Sequence, residues 1–525
     1  MTYPTSAMTA LPKLVAILVL STLFASGCQS APPYDPQQRP ESTTLVNTDS
    51  PLVTGLRSRE AAHEGQSGFY LLHDGLSAFL ARIALIENAQ TSLDLQYYIF
   101  THDVTGRIII SRLLSAADRG VRVRVLVDDM GTQLHNPLVA RLDQHPNIEI
   151  RVFNPVASRN GAARNWEILK EFSRTNHRMH NKLMVADGVA IITGGRNLGD
   201  LYFSSTNIDF QDIDILAVGP IVPPASGSFD EYWAYPASVP VHLLLNAEDS
   251  DTDLATLRQN LSDFLEEQKN SEFINALRTS TLSEAMKDGN VPFHWGNASL
   301  LVDTPKKVLE HADLHASFYL GADLKTILES SRDRVKISTA YFVPGDKGVA
   351  LFNSLEERDV SVQILTNSLS TTDVAIVHSG YMDYRKPLLK GGVELWELRS
   401  TAGQHKRMHW FKGRSRASLH AKTMVIDDRL SVVGSVNLDA RSILQNTEIA
   451  LLIDSPAINQ ELSDIFDRWV AGDSAWSVRF DDQGDLRWTA DTAQGRLEED
   501  HDPETSAWSR FKIWLLSWLP IDSQI

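Results

Sequence analysis

Two stretches of the chain alternate apolar and polar side chains as a β-strand does, and each opens a half of similar order. In the first half, the alternating stretch at 92–100 is followed by a helical pattern at 107–119 and a strand pattern at 121–127. The second half repeats this order at 334–342, 348–358 and 360–366. Strand–helix–strand order in both halves predicts an α/β fold with crossover helices.

A short phrase also occurs twice, once in each half. Both copies fit the pattern H-x-K-x4-D-x6-G-[GS]-x-N without a gap, the first over residues 180–197 and the second over 420–437. A single copy would be a weak signal, because a few fixed letters recur by chance. Two full copies, at nearly equal distances from the strand before them, indicate a duplicated unit.

The histidine and lysine of each phrase are predicted to share one face of a strand, because successive side chains of a strand alternate. The two pairs are His180 with Lys182 and His420 with Lys422. Two imidazoles suit a two-step phosphoryl transfer, in which one attacks phosphorus and the other donates a proton. The glycine pair after each phrase would let the backbone approach a bound anion closely.

These phrases are the signature of the phospholipase D superfamily, which the chain resembles from about Ser67 to its C-terminus. Residues 194–203, 209–214 and 340–345 further resemble the bacterial cardiolipin synthase branch, in particular its cardiolipin synthase C-like group. The resemblance implies two pseudo-symmetric phospholipase D-like α-β-α lobes, which share one active site at their interface.

The resemblance also implies roles for the motif residues. The catalytic set of the motif is His180, Lys182, Asp187, His420, Lys422 and Asp427. His180 is expected to be the nucleophile and His420 the general acid and base, although the symmetry of the halves leaves the reverse order open. The two lysines would stabilise charge on the phosphoryl oxygens. We expect the two aspartates to fix the turn after the strand.

Phosphate contacts are predicted for the polar side chains that end each phrase. Asn197, Asn437 and Ser435 could donate hydrogen bonds to phosphoryl oxygens. The first copy carries Gly195 where many superfamily members have serine. The serine contact is then lost on that side, or a backbone group replaces it.

Each histidine also needs an acceptor that holds its second ring nitrogen. Matching residues 214–219 with residues 448–453 places one acid in each half at the start of a strand. On this alignment Asp214 orients His180, and Glu448 orients His420.

The domain boundaries follow from the repeat. We predict a first lobe over 67–245, a helical connector over 246–290, a second lobe over 291–475 and a C-terminal tail over 476–525. The apolar stripe of the connector is expected to face a core. The tail holds an aromatic helix near residues 508–519, which either caps the core of the protein or rests on lipid; we favour the cap.

The N-terminus carries an apolar run, residues 14–24, followed by Ala-Ser-Gly and Cys28. Residues 1–28 resemble a bacterial lipoprotein signal, in which the cysteine is lipidated. An uncleaved anchor helix and plain secretion are the alternatives. All three place the body outside the cytoplasm, and the first tethers it to a membrane on the periplasmic side. Residues 29–66 are predicted to be a flexible tether.

The net charge and the numbers of particular residue types indicate which ligands and cofactors the chain is expected to bind. The net charge of −17 argues against a general nucleic-acid binder. Cations nevertheless gather at 405–416, which predicts either a site for an anionic headgroup at the membrane surface or a solvated loop. A single cysteine excludes an intrachain disulfide. No cofactor or metal is expected, because the conspicuous histidines belong to the motif and no carboxylate cluster has ligand spacing.

The resemblance predicts a phosphatidyltransferase that acts on phospholipids through a phosphohistidine. Cardiolipin synthesis is expected, with phosphatidylglycerol as acceptor and either phosphatidylethanolamine or a second phosphatidylglycerol as donor. A phospholipase D-type hydrolase that releases phosphatidic acid is the main alternative, because only exclusion of water separates the two. An extracytoplasmic nuclease and a catalytically dead binding scaffold are weaker alternatives.

Overall fold

The computed structural model of the chain describes residues 42–518, apart from 55–56, 133–136, 160, 204–207, 246–252, 288–289, 311–318 and 403–415. The predicted signal segment with Cys28, and nearly all of the cation-rich stretch, lie outside the described residues. Among the helices of the described part, none is long and apolar enough to cross a bilayer.

Strands make up the centre of the molecule. Those of the first half are β1 (Ser67–Leu72), β2 (Ser92–Tyr97), β3 (Arg122–Asp128), β4 (Ile148–Phe153), β5 (Leu183–Ala186), β6 (Ala190–Gly194), β7 (Ile208–Gln211), β8 (Asp214–Val218) and β9 (Ser238–Pro240). Those of the second half are β10 (His294–Val302), β11 (Arg334–Thr339), β12 (Ser361–Asn367), β13 (Glu394–Leu398), β14 (Arg416–Leu419), β15 (Lys422–Ile426), β16 (Leu430–Gly434), β17 (Ile449–Asp454), β18 (Ala475–Phe480), β19 (Leu486–Thr492) and β20 (Gly495–Glu499).

Helices cover both faces of these strands. Those before the second half are α1 (Pro51–Thr54), α2 (Arg57–Ala62), α3 (Gly75–Asn88), α4 (Val104–Asp118), α5 (Pro137–Leu142), α6 (Gly161–Lys170), α7 (Phe172–Asn176), α8 (Val222–Ala234), α9 (Leu254–Gln268), α10 (Glu272–Arg278) and α11 (Thr281–Lys287). The others are α12 (Lys306–Leu309), α13 (Leu320–Glu329), α14 (Gly345–Glu356), α15 (Ala375–Tyr381), α16 (Arg385–Lys390), α17 (Ala440–Leu444), α18 (Pro456–Val470) and α19 (Ala507–Leu516).

Eighteen of the described strands form one mixed sheet, and β7 of the first half pairs in parallel with β14 of the second half as a separate two-stranded sheet. From β9 the neighbours run β4, β3, β2, β5, β6, β8 and β1, and the second half mirrors them from β10 through β17, β16, β15, β11, β12 and β13 to β18. The halves join where β1 pairs antiparallel with β10. In each half three strands are parallel, β2–β3–β4 and β11–β12–β13, as the crossover prediction requires.

Three apolar cores hold the layers together. The first lies between the sheet of the first lobe and helices α3, α4 and α9, and the third lies on the corresponding outer face of the second lobe. The second core is shared, because Phe229 of α8, Val185 of β5, Val433 of β16 and Leu462 of α18 all belong to it. The two predicted lobes are therefore packed against each other through a common apolar layer.

The connector folds onto the first lobe, as its apolar stripe predicts. Leu257, Leu261 and Phe264 of α9 are buried in the core of that lobe. The Asp253 side chain caps the helix by accepting a hydrogen bond from the amide of Thr256 at 2.7 Å. The stripe thus contributes to the core, and its described residues leave no unpaired apolar face for a partner.

The prediction of a flexible tether is wrong for residues 42–54, which are folded against the first lobe, and for 57–66, where Arg59 donates to the carbonyl of Val291 at 2.7 Å. The Thr44 amide donates to both carboxylate oxygens of Asp230 on α8, at 2.9 and 3.0 Å. The Ser50 hydroxyl donates to Asp187 at 2.6 Å. These polar contacts reach across more than a hundred residues of sequence, so a local composition rich in Pro, Ser and Thr did not reveal them.

The predicted boundary at residue 475 is also wrong. Strands β18, β19 and β20 extend the sheet of the second lobe through the pairing of β13 with β18. The tail therefore contributes three strands in addition to its expected aromatic helix. Trp488 of β19 and Trp476 of β18 are buried in the core of the second lobe.

Candidate active site

The two histidines lie at one edge of the sheet, each just before a central strand. Strand β5 runs antiparallel to β2 and β15 antiparallel to β11, so the residues before β5 and β15 reach the carboxyl ends of the parallel strands. The amide of His180 donates to the carbonyl of Thr447 at 2.9 Å, and the amide of His420 donates to the carbonyl of Gln211 at 2.8 Å. Each motif is thus held by backbone of the other lobe.

The side chains of the histidines also cross between the lobes. Nδ1 of His180 lies 2.9 and 3.0 Å from the two carboxylate oxygens of Glu448. Nδ1 of His420 lies 2.6 Å from Oδ2 of Asp212. Both rings and both acids are buried. A ring nitrogen that donates to a carboxylate leaves Nε2 of the neutral imidazole as a free base.

The predicted orienting pairs are therefore corrected. Glu448 does orient a histidine, but it is His180 of the other lobe and not His420. Asp214, which was predicted for His180, forms an ion pair with Arg82 at 2.9 Å and accepts from the amide of Arg196 at 3.1 Å.

The strand register shows why the alignment of the acids was shifted. Gly194 pairs with Asp214, whereas the matching Gly434 pairs with Ala450. The structural counterpart of Glu448 is consequently Asp212, two residues earlier than Asp214. A shift of two residues keeps a side chain on the same face of a strand, so the alternation of the sequence could not distinguish the two aspartates.

The difference between Gly195 and Ser435 is explained by these acids. The Ser435 hydroxyl donates to Glu448 and accepts from the amide of Ile449 at 3.0 Å. In the first lobe, a Cβ atom on Gly195 would lie only 2.1 Å from Oδ1 of Asp212. Glycine is required there because the carboxylate of Asp212 occupies the space of a side chain.

The lysines of the motif are buried beside the histidines. Nζ of Lys182 donates to the carbonyl of His180 at 2.6 Å, and Nζ of Lys422 donates to the carbonyl of His420. Burial lowers the pKa of Lys182 to about 7 and also lowers the pKa of Lys422. Each lysine contributes to lowering the pKa of both histidines, which shows that the two motifs form one electrostatic site.

Each histidine is subject to burial, which lowers its pKa, and to a facing carboxylate, which raises it. Burial lowers the pKa of His180 to about 4, although the Glu448 carboxylate opposes this shift, so His180 is neutral near pH 7. Burial also lowers the pKa of His420. Although burial would raise the pKa of Asp212, the charge and hydrogen bond of His420, with Arg196, hold that pKa at about 2. Asp212 is ionised and favours the imidazolium form of its partner.

Asp187 and Asp427 lie outside the site, so their inclusion in the catalytic set is wrong and their expected role in the turn is confirmed. Asp187 has a φ of 52° and accepts from the amides of Gln90, Thr91 and Ser92 at 2.7 to 3.1 Å. Asp427 has a φ of 50° and accepts from the amides of residues 332–334 at 2.9 to 3.3 Å. Both carboxylates satisfy the amides at the start of a parallel strand, at the edge opposite to the histidines.

The predicted phosphate ligands Asn197, Asn437 and Ser435 lie at the site, but each already forms a hydrogen bond within the protein. Oδ1 of Asn197 accepts from the amide of Ile99 at 3.1 Å, and Oδ1 of Asn437 accepts from the amide of Tyr341 at 3.3 Å. These bonds hold the ends of β2 and β11 and orient each amide group. Ser435 is committed to Glu448, so its predicted contact with phosphate is replaced by support of that carboxylate.

Several residues of the site were missed by the sequence reasoning. Besides Asp212, they are aromatic: the Tyr98 ring lies 5.1 Å from the His180 ring, and the rings of Tyr202 and Phe210 each lie 5.2 Å from the His420 ring. Tyr98 lies within the predicted strand stretch 92–100, directly after the observed β2, and Phe210 lies in the quoted phrase 209–214, so position along the strand was the available signal.

The two arginines just before the first motif, Arg174 and Arg178, form ion pairs within the protein. Arg178 is buried, donates to the carbonyl of Asn154 at 2.8 Å and pairs with Asp128 at 3.3 Å. Arg174 pairs with Glu171 at 2.7 Å. Within the described residues, no group of three or more His, Cys, Asp or Glu side chains is arranged to hold a metal ion.

Two buried histidines, each oriented by a carboxylate of the opposite lobe and flanked by a lysine, define a two-histidine phosphoryl-transfer site. A family model described as "Cardiolipin synthase, PLD-like domain" matches residues 83–211 and 324–470, which include both motif histidines and lysines as well as Glu448. The chain belongs to this family, and it is an enzyme of the phospholipase D-like phosphatidyltransferase kind.

Individual relatives agree with the family. The chain is 38% identical to cardiolipin synthase C of Escherichia coli over 88% of its own length and 96% of that protein. It is 25% identical to a cardiolipin synthase of Oceanobacillus iheyensis over 79% of its length and 71% of that protein. The crystal structure of phosphatidylserine synthase from Haemophilus influenzae superimposes with a TM-score of 0.53 at 13% identity, covering 89% of this chain and 99% of that one, which shows the same fold.

Proposed function

We propose that this enzyme makes cardiolipin by transferring a phosphatidyl group to a glycerol hydroxyl of phosphatidylglycerol. The observation that carries the proposal is the crossed pairing of two buried histidines with two carboxylates, which supplies a nucleophile and a proton donor in one closed site. The similarity to proteins named cardiolipin synthase supports the choice of lipid.

The first step uses His180 as the nucleophile. Its low pKa keeps the ring neutral, and the Nδ1 proton points at Glu448, so the Nε2 lone pair is free to attack phosphorus. A P–N bond forms and the P–O bond to the headgroup alcohol breaks. His420, which Asp212 favours as imidazolium, gives its Nε2 proton to the departing alkoxide. The products are a phosphatidyl-histidine and a free headgroup alcohol.

The second step reverses these roles. His420, now neutral, removes the proton of the glycerol hydroxyl of phosphatidylglycerol, and the oxygen attacks the phosphorus of the phosphatidyl-histidine. The P–N bond breaks, a new P–O bond forms, and His180 returns to its neutral state. Nζ of Lys182 and of Lys422 stabilise the charge on the phosphoryl oxygens during both substitutions.

Burial of the site favours transfer over hydrolysis. Both histidines, both lysines and both acids are buried, and Tyr98, Tyr202 and Phe210 pack on the two rings. A site that restricts water gives a bound alcohol the advantage as acceptor. Hydrolysis to phosphatidic acid is the alternative outcome of the same chemistry.

We propose in addition that the protein is a lipoprotein held on the periplasmic side by a lipid on Cys28. Support comes from the sequence alone, namely the apolar run, the small residues before the cysteine and the position of that cysteine. Expression with labelled palmitate should label the wild type and not Cys28→Ser. Equal labelling of both would contradict lipidation.

The central test is an assay of purified protein with labelled phosphatidylglycerol in mixed vesicles, with and without phosphatidylethanolamine. Lipid chromatography should show cardiolipin, and the dependence on phosphatidylethanolamine identifies the donor. His180→Ala and His420→Ala should each abolish the product while the protein stays folded. Phosphatidic acid as the main product would favour the hydrolase, and an adduct trapped on His420 would reverse the two histidine roles.

A further inference from the structure

An exposed aromatic ridge runs along the C-terminal helix α19. Its side chains lie three or four residues apart and touch in sequence: Trp508 with Phe511 at 5.6 Å, Phe511 with Trp514 at 5.9 Å and Trp514 with Trp518 at 4.8 Å between ring centroids. Trp508 is 64% exposed and Trp518 is 70% exposed. Only Ile513 of the helix is buried, so the predicted role as a cap on the core is wrong for this face.

The ridge lies at the edge of the sheet that carries the active site. Glu504, just before the helix, accepts from the Ser400 amide at 2.9 Å and from the Ser370 hydroxyl at 3.2 Å. Ser370 follows β12 and Ser400 follows β13, at the ends of these parallel strands nearest His420. The helix packs on α15, which begins two residues after Asp373; that carboxylate accepts from the Tyr341 hydroxyl at 2.9 Å.

A second exposed apolar stripe lies at the same edge in the first lobe. Trp166, Leu169 and Phe172 lie three residues apart on α6 and at the start of α7, and Trp166 and Leu169 are 59% and 68% exposed. Glu167 of α6 accepts from the Ala157 amide at 2.7 Å, which fixes this helix just beyond the end of β4. Apolar side chains thus flank the active site on both lobes.

The charges of α19 distinguish among the surfaces that could cover the ridge. The helix carries Arg510 and Lys512 and no acidic residue, in a chain whose net charge is −17. An anionic surface complements this helix, whereas another copy of the same acidic chain is repelled overall. Tryptophan is also the residue that rests most readily at a membrane–water interface, because its ring is apolar and its N–H is polar.

We propose that the ridge on α19 and the stripe on α6 and α7 dock the active-site edge on the surface of an anionic phospholipid bilayer. The proposal deepens the function proposed above and rests on it for its biological meaning, because lipid substrate would then reach the histidines from the surface that the ridge contacts. Arg510 and Lys512 attract the anionic headgroups, and the aromatic rings enter the interfacial layer.

Fluorescence quenching in the full chain tests the docking without any assay of activity. Protein bound to phosphatidylglycerol vesicles with brominated acyl chains should show quenched tryptophan emission. Replacing Trp166, Trp508, Trp514 and Trp518 together by phenylalanine should remove most of this quenching, because the chain still binds but the tryptophan rings of the docking surface are gone. Trp295→Phe is the matched control, since that half-buried residue stacks on His63 where the two lobes join.

A second measurement separates docking from chemistry. Replacing Trp514 and Trp518 by serine should lower turnover on phosphatidylglycerol vesicles about tenfold or more, because burying one aromatic side chain in lipid contributes roughly a factor of ten. Turnover of a short-chain phosphatidylglycerol below its micelle concentration should not change. The proposal is overturned if quenching survives replacement of Trp166, Trp508, Trp514 and Trp518, if Trp295→Phe removes it equally, or if turnover of both lipids falls alike. If the wild-type chain shows quenching but no transferase activity, the docking stands and the proposed function alone is contradicted.

Discussion

Replacing Asp212 by asparagine removes the negative charge behind His420 while almost preserving shape. The carboxylate accepts a bond of 2.6 Å from Nδ1 of His420 in a buried site. A charge-assisted hydrogen bond of this kind contributes about 1.5–3 kcal/mol, and a unit charge about 4 Å away at an effective dielectric constant of 20 contributes about 4 kcal/mol. We therefore expect kcat to fall about 10- to 1000-fold, at roughly 1.4 kcal/mol per factor of ten.

The same substitution should also shift the pH dependence of kcat in a defined direction. His420 must be protonated in the first step, so activity is lost as pH rises through its pKa. The Asp212 charge raises that pKa against the effect of burial, and its removal lowers the pKa further. The alkaline limb of kcat should consequently move to lower pH in Asp212→Asn.

Asp214→Asn is the matched control, two residues along the same strand end. Asp214 pairs with Arg82 and not with a histidine, so the substitution should lower the melting temperature and leave the pH profile of the folded enzyme unchanged. A shifted profile in Asp214→Asn together with an unshifted one in Asp212→Asn would refute the crossed pairing and restore the alignment made from sequence.

Two further substitutions and the acid limb of the pH profile test other features of the structure. Gly195→Ser should lower kcat at least about tenfold, since a Cβ 2.1 Å from Asp212 must displace that carboxylate; wild-type kcat in a folded variant would contradict this reason. Asp427→Ala should lower the free energy of unfolding by about 1–3 kcal/mol in denaturant titration, because three amides lose their acceptor; kcat per folded molecule should persist, and a stable but inactive variant would return Asp427 to the catalytic set. In the pH profile of kcat, activity should survive down to about pH 4, where His180 becomes protonated. An acid limb near pH 6.5, the ordinary pKa of histidine, would contradict the effect of burial on His180.

The sequence predicted the duplicated lobes and the four basic residues of the site, because motif and strand order are local patterns that occur twice. It did not predict Asp212, since Asp212 and Asp214 lie on the same face and only the pairing of Gly194 with Asp214 selects between them. Nor did it predict that Glu448 serves the histidine of the other lobe. That contact depends on how two lobes pack, and alternation within one strand carries no information about it.

The ends of the folded body were also beyond local patterns. Residues 42–50 are polar and resemble a linker, yet Thr44 and Ser50 are held by carboxylates far away in sequence. Strands β19 and β20 carry several charged residues, but buried tryptophans fix β18 and β19 to the second lobe, and β20 pairs with β19. In both cases, contacts between residues far apart in sequence hold the segment to the folded body, and local composition does not reveal such contacts.

The exchange of carboxylates between the lobes makes this single polypeptide equivalent to a C2 dimer whose subunits happen to be covalently linked. In an isologous interface both subunits contribute the same surface and the same contacts. Here each half contributes a carboxylate to the histidine of the other half. A half-chain expressed alone would contain a histidine without its own acid and an acid without its own histidine. Catalytic competence is thus a property of the joined pair, and mutations in one half should be compensated most readily by changes in the other.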